Sequence, residues 1–396
     1  MRIAIVTQGY LAGGGVPTIA QWLRDELTER GCEVHVHDLA ASSRDVRSRR
    51  VLSPATWRTH VVLEADPTDP ELFHWGANWV ELESQRYRPR HALTVALNTY
   101  DVIQVVAGGP ALALAVSRAR PAKMLQVATT LLAERRAHLP ELPLPERVVK
   151  SLSMRSLHGL EVQALRGVDH VQVENRWMEN WVREHGQANV TFAPPGIDVD
   201  TFHPVGDWDP SRPIIAFGRL GDSRKDWPTA VTAYERFVEL TGLENELILA
   251  GKGPLSPQLR RCLHASPVRG RIRVHEDIPR AHVPGLLAGG SVFVQSSLEE
   301  GLGLAGLEAM ACGLPVVATR TVGTGEYVRD GQNGQSVEIG VSAADGLAKG
   351  LAGILAGGVG GAMSAEARRT CREGYASSVA FERFASGDLL EEAAHD

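Results

Sequence analysis

Arg2–Thr7 reads as one short apolar run, followed by a loop, Leu11-Ala-Gly-Gly-Gly15, and then by positions spaced for a helix to about Arg30. Pro17 suits the first turn of that helix and Gly31 its stop. Glu33–Leu39 alternates as a second strand. Further apolar runs at Val102–Val106, Met124–Ala128, His170–Val173 and Val190–Ala193 are separated by helical stretches. That rhythm predicts a parallel sheet with crossover helices. The polar stretch Phe202–Pro213 reads as a linker, after which the pattern restarts. Ile214–Phe217, a helix around Thr229–Leu240, Glu246–Leu249 and Pro315–Ala318 carry it forward. Gly357–Gly361 interrupts the tail, and a last helix is expected over about Val379–Glu392.

The pattern therefore predicts an α/β chain of two Rossmann-like, doubly wound parallel-sheet domains. The first covers residues 1–205, with the C-terminal helix (379–396) packing back on it, and the second covers 206–378. A chain of 396 residues has room for two such cores.

Apolar residues make up 43% and charged residues 22%, which fits a globular class. The net charge is −6 and neither half is net basic, so nucleic acid is not an expected partner. The first apolar run is too short for a signal peptide, and no run reaches the roughly 18 residues of a membrane span. Four scattered cysteines with no CxxC pair argue against disulfides and a thiolate metal site, and a reducing cytoplasm fits.

The densest chemistry lies in Ser291–Thr319. An apolar strand there delivers Glu300 to the carboxyl end of a sheet, where open α/β proteins bind ligands. Gly301 and Gly303 leave bare backbone at the start of a helix, whose amides and dipole suit a diphosphate. Glu308 follows about two helical turns after Glu300, placing two carboxylates toward one ligand. Taken alone, the two glutamates read as incidental surface residues on a buried strand–helix–strand. The glycine loop and the following Gly313-Leu-Pro-Val-Val-Ala-Thr319 strand tip the reading toward function.

A second element, Ile214-Ile-Ala-Phe-Gly218-Arg219-Leu-Gly-Asp-Ser-Arg-Lys225, sets two cations six residues apart after a strand and a glycine. An arginine fork and a lysine point charge do complementary work on a departing nucleotide diphosphate.

The first segment resembles the EX7E motif of the retaining GT-B glycosyltransferases of group 1. Phe192–Pro204 resembles that family's interdomain segment, and Leu249-Ala-Gly-Lys-Gly-Pro254 its strand-end turn. Gly323-Thr-Gly-Glu326 and Asp330-Gly-Gln-Asn-Gly334 follow in the family's order. The resemblance is strong over about 190–340, moderate over the first 40 residues and weak between 41 and 185. It implies two domains facing across a cleft and a nucleoside-diphosphate sugar as donor substrate, with no metal or other cofactor. Glu300 would meet the donor sugar, the amides of Gly301, Leu302, Gly303 and Leu304 the diphosphate, and Glu308 the ribose hydroxyls. Arg219 and Lys225 would grip the leaving phosphate with Gly218 beside them, Arg224 being the alternative one position away.

Gly13-Gly14-Gly15 matches the family's N-terminal glycine loop, which approaches donor phosphate and acceptor. A dinucleotide fingerprint ending on Asp38 competes with this reading, but the third glycine of GxGxxG is missing. The chain departs from the family where a histidine usually follows an N-domain strand. Met124-Leu-Gln-Val-Ala-Thr129-Thr-Leu-Leu has none, nor has Asp101–Gly109, which leaves Thr129 as the acceptor-side candidate. Trp75, with Phe73, Trp79 and Tyr87, forms either an acceptor wall or a helix packed on the core through Trp75 and Trp79, four apart. Arg44, Arg47, Arg49 and Arg50 read as a solvated loop.

The expected activity is sugar transfer to a hydroxyl of a small molecule, such as a natural-product scaffold, or of a glycan. A non-catalytic nucleotide-sugar-binding helper, and a GT-B epimerase or phosphorylase, stand as alternatives. Donor base, sugar, acceptor and oligomeric state stay open.

Overall fold

The computed structural model describes residues 1–40, 48–51, 53–57, 63–79, 82–136 and 156–386. These divide into two units, Met1–Pro195 with the chain from Phe381, and Gly196–Ala380. The break after Pro195 lies before the expected linker because residues 196–208 pack onto the second unit. Ile197 N–H donates to Tyr375 O at 2.7 Å, and Trp208 Nε1 donates to Ser291 O at 2.8 Å. Arg368 donates to the carbonyls of Val199 and Phe202.

In the first unit the strands are β1 (Arg2–Gln8), β2 (Glu33–Leu39), β3 (Leu63–Ala65), β4 (Leu72–Trp75), β5 (Val102–Ala107), β6 (Ala122–Val127), β7 (His170–Val173) and β8 (Val190–Phe192). Among the described residues they order as β3-β4-β2-β1-β5-β6-β7-β8, parallel except for β3 against β4. β1 is an interior strand, with Ile3 paired to Val34 and Val102, and its successive residues 3–7 are all buried, so both faces are covered, which is why it reads as one apolar run. The helix Gly15–Glu29 packs Ile19, Ala20, Leu23 and Leu27 inward and ends before Gly31 at φ 82°.

The second unit holds β9 (Ile214–Phe217), β10 (Leu247–Gly251), β11 (Ile272–Glu276), β12 (Val292–Gln295), β13 (Val316–Thr319) and β14 (Gly334–Val337), ordered β11-β10-β9-β12-β13-β14 and parallel throughout. The helix Trp227–Thr241 buries Val231, Tyr234 and Phe237 in the same core as Leu347 and Leu351. The helices Ala343–Ala356 and Gly360–Tyr375 meet at 108°, with Gly357–Val359 at the turn. Among the described residues no single helix is long and apolar enough to cross a membrane. All four cysteines are free.

Two expectations change. No helix carries Trp75 and Trp79. Trp75 closes β4 at 1% exposure with its Nε1 donating to His37 Nδ1 at 3.0 Å, while Trp79 has φ 51°. The regular spacing of four was coincidental, and the Trp75 indole lies in the core rather than on a wall. The last helix runs over Ser377–Ala385, and residues 387–396 of the expected one lie outside the described residues, as do Arg44 and Arg47.

Among the described residues of the first unit, Glu161 and Glu174 are buried. Burial pushes Glu174 up to about 8, against a hydrogen bond with Gln126, and pushes Glu161 up to about 7, against the Leu131 N–H. Glu161 Oε1 accepts from Leu131 N at 2.6 Å. A carboxyl held above its unfolded value adds stability that is complete below the ordinary range and is lost as pH rises through the folded value. Wild type should therefore lose stability between the ordinary carboxyl range and about pH 8, most steeply below pH 7, where both carboxyls contribute. In thermal melts Glu174→Gln should match wild type at pH 5 and exceed it at pH 9 by several kcal/mol, up to about 5 kcal/mol at about 1.4 kcal/mol per displaced unit. Equal pH slopes for the two proteins would show that Glu174 carries no such linkage.

Candidate functional site in the second unit

The carboxyl ends of β9 and β12 are neighbours in the sheet, and the chain leaves both through glycine-rich backbone. Gly251, at φ 156°, lies so close to the turn after β9 that an added Cβ would sit 1.5 Å from Gly218 O. At Gly323 a Cβ would sit 2.5 Å from Leu302 Cα, and the Gly323 N–H donates to Glu300 O at 3.0 Å. These bare contacts draw three loops onto one edge.

Gly218 follows β9, and a Cβ there would sit 3.2 Å from Lys225 Cε. The missing side chain leaves the lane along which Lys225 runs. Lys225 ends a short 3₁₀ turn, Ser223–Lys225, and its Nζ donates to Glu300 Oε1 at 2.5 Å. Ser297 Oγ donates to the same oxygen at 2.6 Å. The two charged side chains are 19% and 12% exposed, so the pair is largely withdrawn from water. Ser296 Oγ, held by the Lys225 and Asp226 carbonyls, and Leu298 N–H, donating to Arg224 O, tie the 3₁₀ turn to the β12 loop.

Arg219 and Arg224 share Asp222. Arg224 donates through Nε and Nη2 at 3.1 and 2.9 Å and reaches Glu299 at 3.2 Å, whereas Arg219 meets Asp222 through Nη2 at 2.7 Å. Burial works against the Asp222 charge, but the hydrogen bonds and charge of Arg224, with Arg219 beside it, hold its carboxyl at about 2. Arg224 is 14% exposed and Arg219 50%, so the first is a strut and the second extends into water.

After β12 the chain stays irregular through Gly303, and the helix spans Leu304–Ala311. Glu300 therefore sits in the loop and Glu308 in the helix, rather than two turns apart on one helix. Gly303 takes φ 88° and ψ 56°, a left-handed conformation suited to glycine, and turns the chain into the helix. Its carbonyl accepts from Tyr327 Oη at 3.1 Å. Leu302 is buried under Gly323, so this stretch offers backbone rather than side chain. The first amides of a helix lack intrahelical acceptors, which leaves the turn around Gly303 and Leu304 as an anion seat. Glu308 has a side chain only 4% exposed, and its Oε1 accepts from Arg280 Nη2 at 2.6 Å. Burial raises its carboxyl, and Arg280 opposes the rise.

Residues 211–356 match the family model described as Glycosyl transferases group 1. The chain is 31% identical over 152 residues to the GDP-mannose-dependent alpha-(1-6)-phosphatidylinositol dimannoside mannosyltransferase of Mycobacterium tuberculosis, covering 36% of this chain and 39% of that protein. It is 34% identical over 149 residues to the alpha-maltose-1-phosphate synthase of Mycolicibacterium smegmatis, covering 36% and 37%. The match thus spans about two fifths of these relatives' length. Among solved structures, a sucrose-phosphate synthase from Thermosynechococcus elongatus superposes with a TM-score of 0.69 at 18% identity, covering 99% of this chain and 100% of that one. Anabaena HepE with UDP and glucose gives 0.67 at 15% identity, covering 99% and 100%.

The chain has the GT-B fold. Within it, the second unit gathers Gly218, Arg219, Lys225, Glu300–Leu304 and Glu308 on one sheet edge. The glycine-loop donor candidates and the acceptor-side candidates belong to the first unit. Gly13 and Gly14, at φ 75° and 113°, lie between β1 and the helix that starts at Gly15. Thr129 follows β6, is 8% exposed, and its N–H donates to Gly108 O at 3.1 Å. Asp38 is engaged by the Tyr10 N–H and by His74 Nδ1, each at 3.2 Å, so its carboxylate serves the loop rather than a dinucleotide ribose. Sequence reasoning missed Ser297 and Arg280. Ser297 sits within the motif and was overlooked beside the glycines. Arg280 lies far upstream of Glu308, and only the fold brings them together.

The roles of Arg219 and Arg224 are separable. Arg224→Met should destabilise the second unit by about 3 kcal/mol, since it takes from the low-exposure Asp222 carboxylate its two-point partner and leaves only the exposed Arg219. Arg219→Met should cost less than about 1 kcal/mol, as for other exposed pairs. Denaturant titration of both variants checks this, and equal costs would remove the distinction.

Proposed function

We propose that this chain is a retaining, metal-independent glycosyltransferase that moves a sugar from a nucleoside-diphosphate sugar to a hydroxyl of a small-molecule acceptor. The observation that carries the proposal is the Lys225–Glu300 pair at the helix mouth, one strand from Arg219. In this reading the Gly301–Leu304 backbone, Arg219 and Lys225 bind the diphosphate, and Glu308 accepts from the ribose hydroxyls. As the anomeric bond loosens, negative charge grows on the leaving phosphate beside two fixed cations, which supply the charge that a metal provides elsewhere. Positive charge grows on the sugar ring, where Glu300 stabilises it. The acceptor hydroxyl attacks from the face that the nucleotide leaves, and the phosphate takes its proton. Of the glycine-loop candidates, Gly14 and Gly15 serve the donor and Gly13, with Thr129, the acceptor, Thr129 donating a hydrogen bond rather than acting as a base.

The two relatives are named for mannosyl transfer to a phosphatidylinositol dimannoside and for synthesis of alpha-maltose-1-phosphate, which supports an acceptor that offers a hydroxyl. A helper protein that binds nucleotide sugar without turnover is the second reading, favoured by the absence of a histidine in Met124–Leu132.

Calorimetric titration of metal-free protein with UDP, GDP, ADP and TDP tests the donor site. One nucleotide should bind in the micromolar range and be lost in Arg219→Ala, whereas no binding to any of the four would sink the proposal. With an acceptor in hand, Glu300→Gln should lower turnover by roughly 10²-fold or more, as removing a preorganised charge does elsewhere. Turnover within threefold of wild type would take Glu300 out of its role. Binding with no turnover of any acceptor would leave the helper reading standing.

A further inference from the structure

We propose that Arg280 is the positioning residue that holds Glu308 in its anionic form, aimed at the ribose diol, and so sets a preference for ribonucleotides over 2′-deoxyribonucleotides. This rests on the donor-site reading above and deepens it.

Glu308 lies in the second turn of the helix Leu304–Ala311, with its side chain 4% exposed. An ionised carboxylate in so dry a seat needs a partner. That partner is Arg280, from the turn Arg280–His282 after β11, whose Nη2 donates to Glu308 Oε1 at 2.6 Å. The Arg280 guanidinium also lies over the buried Phe202 ring, 5.0 Å from its centroid, a cation–π contact that fixes its approach. Its side chain is 53% exposed, so water solvates the cation while the anion it serves stays dry.

The other titratable groups near Glu308 do not replace it. Cys312 and Cys371 are neutral thiols that burial pushes up to about 12. Arg368, which acts on both thiols, is committed to the carbonyls of Val199, Phe202 and Ala311. Burial raises the Glu308 carboxyl, and only Arg280 pulls it down. A carboxylate has about four lone-pair sites, and a single N–H···O bond occupies one, so two adjacent hydroxyls can add without displacing Arg280. A protonated Glu308 would present an O–H donor and a weakened acceptor to the same diol. A 2′-deoxyribose supplies only one of the two hydroxyls and gains less from the anion.

The test is calorimetric titration of the full, metal-free chain with UDP, GDP and ADP and with their 2′-deoxy forms at pH 6, 7 and 8.5. Wild type should favour the ribonucleotide by about tenfold, the worth of one hydrogen bond to a charged group. Arg280→Gln should lose about tenfold in ribonucleotide affinity at pH 6, the worth of one hydrogen bond to a charged group, and recover part of it at pH 8.5, where the carboxyl ionises again. Its affinity for the 2′-deoxy form should change little, and Arg280→Lys should restore the wild-type pattern. If Arg280→Gln melts below the titration temperature, Glu308→Gln carries the test and must abolish the ribose preference at every pH. A wild type that binds, beside an Arg280→Gln that behaves like it or loses both sugars equally at all pH values, overturns this inference alone. The same holds for a Glu308→Gln that keeps the ribose preference. A wild type that binds no nucleotide overturns the donor-site reading, and this inference with it.

Discussion

Backbone approaching backbone without side chains is the constraint on which the second unit depends. Gly251 meets Gly218, and Gly323 meets Leu302, at separations that admit no Cβ. Each contact closes a loop onto the carboxyl edge of the parallel sheet, one from β10 onto the end of β9, the other from β13 onto the loop after β12. The ion pair between Lys225 and Glu300 exists because those loops are close. Neither charge would sit at 19% or 12% exposure on a longer, better-filled turn. The glycines are therefore as much part of the site as the charges they bring together.

That edge holds two carboxylates in unlike surroundings. Glu300 is met by an ammonium and a hydroxyl at once, both on one carboxylate oxygen. Glu308 is drier and is held by one guanidinium that itself reaches water. The first arrangement suits a group that must stay charged beside changing charge, since its donors are fixed beforehand. The second suits a group that receives neutral hydroxyls, where a dry setting strengthens each hydrogen bond but makes an unpaired anion costly.

How far the sequence could be read follows from how local each feature is. The strands β1, β5 and β12 are buried on both faces and announce themselves as continuous apolar runs. The Glu300–Glu308 segment is one strand, one loop and one helix, so its glycines and glutamates were visible together, as was the strand–glycine–cation order of Gly218 to Lys225. Features that depend on sheet order were not visible. Arg280 reaches Glu308 from a neighbouring loop, and Asp222 is claimed by two arginines only once the 3₁₀ turn has formed. Trp75 failed for a related reason. Its spacing from Trp79 fits a helix, but Phe73 and Trp75 lie on β4 in register with His37 and Leu39 of β2, and that pairing overrides local periodicity.

The contrast between Arg219 and Arg224 bears on how an anion would enter. Both contact Asp222, but an ion pair with a half-exposed arginine contributes little net stability, whereas one between side chains 14% and 8% exposed is costly to break. Arg224 therefore keeps Asp222 ionised whether or not Arg219 is bound to it. A phosphate that draws Arg219 away would leave no uncompensated charge behind, because the Asp222 carboxylate still has a bidentate partner. Two arginines on one aspartate thus make one of them available at low cost. A single Arg–Asp pair in the same place would oppose the ligand that the arginine is there to bind.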